Sequence, residues 1–179
     1  MNEAEKIQQL TEQFRLLGAF NPEVWARSQV QEGIPQYSRF VFLREMWKRV
    51  VRESDISWIE PTIRHAERNP QDPGASIGPI LSRMLAAGVS PKDITELVRV
   101  MQWKTLADIA DLLDDSGMVG YPSKDMPRVH WALFEVSEDE EPLHTIGCLH
   151  ESVLEVEPTG REMRPKVSPD QDDGSSANA

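Results

Sequence analysis

From Ile7 to Leu113 the apolar residues recur mostly three and four positions apart, with breaks at glycine and proline. A chain with that period folds mainly as helices, each burying one stripe. Ile7, Leu10, Phe14 and Leu17 make the first stripe, over Glu3 to Leu17, with Gly18 as its stop. Asn21 and Pro22 offer a cap and a first position for a short helix to Val30 that turns Val24 and Trp25 inward. After Gly33 and Pro35, the stretch Tyr37 to Arg52 sets Phe40, Leu43, Trp47 and Val50 on one face, mostly opposite charged side chains.

Ser54 and Asp55 can begin a helix carrying Ile56, Trp58, Ile59 and Ile63, which Pro61 either kinks or restarts. Asn69 to Gly74 is a loop, and Ile77 to Ala87 resumes helical spacing up to Gly88. Ser90, Pro91 and Asp93 then place a cap, a first-position proline and a carboxylate in order, the clearest local signal in the chain. The helix they open carries Ile94, Leu97, Val98 and Met101 inward. A similar box from Thr105 to Asp108 suggests a further helix with Leu106, Ile109, Leu112 and Leu113.

Beyond the connection Gly120 to Pro127 the period falls to two. Val129, Trp131 and Leu133 alternate with His130, Ala132 and Phe134, as in a strand. Ser137 to Pro142 supplies a turn and Leu143 to Leu149 a returning strand. The matching register opposes Val136 with Leu143, Glu135 with His144, Leu133 with Ile146 and Trp131 with Cys148. Ser152 to Val156 fits either a third strand or a helical turn. The expected architecture is α+β: one domain over 1–157, helical through 3–115 as a bundle of about six helices and β-rich through 128–157. A disordered tail is expected over 158–179, where little can be buried.

Charge divides unevenly along this plan. Residues 1–110 hold 14 Lys and Arg against 14 Asp and Glu, whereas residues 111–179 hold 5 against 16. The whole net charge of −11 therefore lies on the last third, which repels nucleic acid and anionic membranes and attracts basic proteins. One cysteine, Cys148, rules out an intramolecular disulfide. With no basic, apolar leader and no membrane-length apolar run, the expected location is cytoplasmic.

Candidate chemistry is sparse. Met84, Ala87, Gly88-Val89-Ser90, Ile94 and Leu97 stand where helix-turn-helix DNA readers place their turn glycine and flanking apolar residues. The stretch Leu81 to Met101 resembles that motif, which would imply a DNA-binding regulator. It departs in having bulky Met84 four residues before the glycine and a charge-neutral second helix. His144, Cys148 and His150, with His130, raise a metal- or thiol-dependent enzyme as an alternative. Their spacing matches no zinc module, and an acidic setting does not activate a thiol. The leading expectation is a non-enzymatic binding protein without cofactor or metal, of inhibitor or immunity type, that takes a partner with a basic surface. Its partner-binding residues would be Glu138, Asp139, Glu140 and Glu141 at the hairpin tip, and Trp103 as an exposed anchor off its helix's apolar stripe.

Overall fold

The structure, a computed structural model, describes residues 1–118 and 120–166. In chain order they form α1 (Glu3–Leu16), α2 (Pro22–Glu32), α3 (Gln36–Trp47), α4 (Ile59–Arg68), α5 (Ile77–Ala86), α6 (Pro91–Asp114), β1 (Leu133–Val136), β2 (Pro142–Ile146) and α7 (Leu149–Ser152). This is the expected α+β plan, with helices leading and one antiparallel hairpin following.

The first three helices build the main core. Asn2 caps α1 reciprocally with Glu5: the Asn2 side chain accepts from the Glu5 amide, and the Glu5 carboxylate accepts from the Asn2 amide, each at 2.9 Å. The stripe of α1 delivers Phe14 to the centre, where its ring meets Trp25 at 6.0 Å, Tyr37 at 5.8 Å and Phe40 at 5.5 Å. Leu43, Trp47 and Val50 extend this cluster, and Leu106, Ala110, Ile146, Leu149, Val153 and Val156 close it from the C-terminal half. On α2 the inward pair is Trp25 and Ala26, while Val24 stays exposed.

A second, smaller cluster joins Ile59, Ile63, Leu81 and Ile94 from α4, α5 and the start of α6. No helix begins at Ser54 or Asp55; α4 starts at Ile59, and Pro61 falls in its first turn, where its missing amide costs nothing. Ile56 precedes that start and is exposed. Helices α4 and α5 cross so closely that a Cβ on Gly78 would stand 2.5 Å from the Ala66 Cβ.

The helices expected on either side of Thr105 are one 24-residue helix, α6. Thr105 does not cap: its hydroxyl donates back to the Met101 carbonyl at 3.0 Å, the bond a threonine makes within a continuous helix. The inward face of α6 also differs from the expected one. Ile94, Thr95, Arg99, Leu106 and Ala110 are buried, whereas Leu97, Met101, Ile109 and Leu112 face solvent.

The hairpin keeps Leu133 opposite Ile146 and Glu135 opposite His144, but an irregularity between Glu135 and Val136 sets Val136 against Pro142 instead of Leu143. Trp131 lies before the ladder and its indole N–H donates to the Leu112 carbonyl at 2.7 Å, so it has no partner in Cys148. Ser152 to Val156 is not a third strand; α7 runs into turns. Part of the segment expected to be a tail is folded: Met163 packs on the main core, and Gly160, at φ +69°, lies under the Phe20 ring. The rest of that tail, 167–179, lies outside the described residues.

Candidate functional site

The hairpin tip is built by Ser137. Its amide donates to the Glu141 carbonyl at 2.9 Å and its carbonyl accepts from the Glu140 amide at 3.0 Å. Its hydroxyl oxygen accepts from the amides of Asp139 and Glu141, each at 3.2 Å. Glu140 takes φ +63° to complete the turn. With the backbone tied inward, the side chains of Glu138, Asp139, Glu140 and Glu141 all point to solvent. None makes an ion pair among the described residues, and residues 167–179 contain no lysine or arginine.

Alternation along the strands gives the hairpin two unlike faces. The inner face holds Leu133 and Ile146 on the core, with Glu135 accepting from the Ser38 hydroxyl at 2.6 Å. Glu135 and His144 border a hollow of about 400 Å³ toward Tyr37 and Gln13. The outer face leaves Phe134, Val136 and Leu143 about half exposed. Among the described residues no layer covers this face, and its apolar patch lies directly beside four carboxylates.

Several other carboxylates beyond residue 110 are treated differently. Glu157 is buried with Arg99. Asp114 accepts from the His150 backbone amide at 2.9 Å and faces its ring Nδ1 at 2.6 Å. Glu162 pairs with Arg164 at 2.7 Å. Glu155 stays at the surface, where partial desolvation, helped by the neighbouring charge of Glu162 and opposed by Arg39, raises its carboxyl above the usual range. The acidic excess is thus partly spent inside the fold, and among the described residues its longest unpaired, exposed run is the tip.

The remaining sequence candidates separate. Trp103 is not an exposed anchor; it is half-buried against the main core, and its indole nitrogen is enclosed. His130 faces the Ser116 hydroxyl at 3.1 Å, His144 stays on the hairpin and His150 binds Asp114. Among the described residues no three His, Cys, Asp or Glu side chains gather as a metal site. Cys148 is exposed, in a left-handed conformation at φ +56° that starts α7. On α6 the first turns expose Lys92, Asp93, Glu96 and Leu97, while Arg99 is withdrawn into its pair with Glu157. Among the described residues no helix is long and apolar enough to cross a membrane.

One concavity had no sequence signal. A cleft of about 740 Å³ lies between the α1–α2 turn, the end of α3 and residues 155–159. Phe20, Phe40 and Trp47 form its apolar part, with Arg44, Lys48 and Arg52 set against Glu53 and Glu155. Its residues come from segments far apart in sequence, and its mixed charge selects neither cations nor anions. Comparison with protein-family models, curated proteins and solved structures gives no match.

Proposed function

We propose that this chain is a non-enzymatic binding protein that takes a cationic protein partner on its C-terminal hairpin. The observation that carries the reading is the placement of four outward carboxylates, unpaired among the described residues, beside the half-exposed apolar side chains Phe134, Val136 and Leu143. Protein interfaces commonly combine an apolar centre with a charged rim, the first supplying affinity and the second orientation and encounter rate. The partner this surface suits carries lysine or arginine around an apolar spot. An inhibitor or immunity-type role follows if the covered spot is the partner's own working surface.

Reading α5 and α6 as a DNA reader has less support. The exposed charges at the start of α6 sum to about −1, whereas duplex binding draws its nonspecific affinity from phosphate neutralisation.

Affinity capture from the native host, with the intact chain as bait, tests the proposal at low and high salt. A single basic protein should be retained at low salt and released as exposed charges become screened. Replacing Glu138, Asp139, Glu140 and Glu141 by their amides should slow association with that protein by about 10-fold or more. Phe134→Ser should speed its release. Equal binding by both variants removes the hairpin as the docking surface.

A further inference from the structure

The solvent side of α6 carries an apolar ridge arranged nearly symmetrically about Thr105. Met101 stands four residues before it and Ile109 four after; Leu97 stands eight before and Leu112 seven after. All four large side chains are exposed, from 45% at Ile109 to 56% at Met101. Leu106 and Ala110, on another side of the same helix, are already committed to the main core, and Ile94, one turn before the ridge begins, is buried in the second. A surface helix normally opposes its buried stripe with polar residues; α6 opposes its own with a second apolar stripe roughly 22 Å long, from the rise per helical residue.

We infer that this ridge is the contact between two copies of the chain, which cross antiparallel about a two-fold axis at Thr105. A two-fold interface must be self-complementary. Reversal about Thr105 brings Met101 of one copy to Ile109 of the other, and Leu97 to within one residue of Leu112. Residues spaced by four form a helix ridge that interdigitates with its like, and a small side chain at the crossing permits close approach. Between α6 and the end of α3, Met46 and Val50 add walls to an apolar groove of about 370 Å³ along Met101, Leu106 and Ile109. That groove accepts the partner helix's ridge.

Charge supports the same operator. Lys104 and Asp108 are exposed on one flank of the ridge, and neither makes an ion pair among the described residues. In the antiparallel arrangement Lys104 of each copy lies beside Asp108 of the other. A parallel pairing, or an unrelated apolar partner, gains nothing from this pattern. The inference is independent of the hairpin reading, since it uses a different face.

Sedimentation equilibrium of the full-length chain tests it directly. A monomer–dimer equilibrium is expected, with a dissociation constant on the order of 10 μM for an interface at the small end of the size range. Met101→Glu with Ile109→Glu should weaken it by about 100-fold or more, because each substitution enters twice. Their exposure predicts an unchanged circular dichroism spectrum. Lys104→Glu alone should weaken the dimer, and Lys104→Glu with Asp108→Lys should restore it. If the double glutamate variant loses its fold, Thr105→Cys in a Cys148→Ser background decides. Oxidation by diamide should then join two copies through the residue on the axis. A chain that stays monomeric at every concentration overturns the inference, even if a different protein proves to cover the ridge. So does a dimer indifferent to Met101 and Ile109, or a Thr105→Cys variant that forms no cross-link.

Discussion

Glu157 and Arg99, 58 residues apart in sequence, form an ion pair in the interior, with the two side chains 0% and 5% exposed. Each also holds further partners. Arg99 donates to the Val51 carbonyl at 3.0 Å and lies over the Trp47 ring. Glu157 accepts from the Thr159 amide at 3.1 Å, the Thr159 hydroxyl at 2.5 Å and the Arg161 amide at 3.2 Å. Trp47 in turn donates to the Val153 carbonyl at 2.7 Å. This network fastens residues 153–161 to α3 and α6. Removing one member strands a buried charge, so Glu157→Ala or Arg99→Ala should each cost about 3–5 kcal/mol in denaturant unfolding. Arg99→Met with Glu157→Leu should cost less than the sum of the single changes. Additive single and double mutants would show that the two charges are not coupled.

The close crossing of α4 and α5 makes a steric prediction. Gly78→Ala places a methyl group 2.5 Å from the Ala66 Cβ, and neither side chain has a rotamer to escape through. The helices must move apart, at about 1–3 kcal/mol, the range for overpacking. Adding Ala66→Gly should return part of that loss in thermal melts. A Gly78→Ala chain as stable as the parent would refute the contact.

Thr95 is completely buried and serves two partners at once. Its hydroxyl donates to the Asp55 carbonyl at 2.9 Å and accepts from the Trp58 indole N–H at 3.1 Å. Thr95→Val keeps the shape and leaves both partners unpaired, at about 1–3 kcal/mol. Trp58 emission should shift as its N–H loses the bond. Thr95→Ser, which keeps the hydroxyl, should preserve the emission.

His150 makes stability depend on pH. Its hydrogen bond to Asp114 raises the imidazole above its ordinary value; burial opposes this, and the charges of Asp114, Asp111 and Glu151 add to it. A raised folded value means that the contribution is complete below the unfolded value of about 6.5 and fades as pH climbs through the folded one. The stability difference between the parent and His150→Asn should therefore be larger near about pH 5.5 than near about pH 9. A difference constant over that range would sink the assignment.

The parts of the fold legible in the sequence are those fixed by local chemistry. Asn21-Pro22 and Ser90-Pro91 begin helices where they stand, and Gly88, at φ +84°, closes α5. Glu135 and His144 meet because strand alternation leaves that register the one that keeps Leu133 and Ile146 together inside. The irregular step at Val136 was hidden, because a left-handed glutamate instead of a glycine makes the turn. The orientation of α6 was hidden for a deeper reason. Its buried stripe includes Thr95 and Arg99, which hydropathy passes over, while the more apolar residues lie outside. Periodicity locates an apolar face but cannot choose between two. Residues 158–166 looked unable to order themselves by composition, yet one buried carboxylate at Glu157 organises their turn. At the candidate site, the four acidic residues of the tip were plain in the sequence. The neighbouring apolar patch emerged only with the strand faces.

Because α6 runs unbroken from Pro91 to Asp114, it acts as a beam shared by two otherwise separate cores, with Ile94 at one end and Leu106 and Ala110 toward the other. Loosening either core strips a wall from the same rod. Heat or denaturant should therefore take both halves apart in a single cooperative step, and the slowest backbone amides to exchange with deuterium should lie near the middle of that rod.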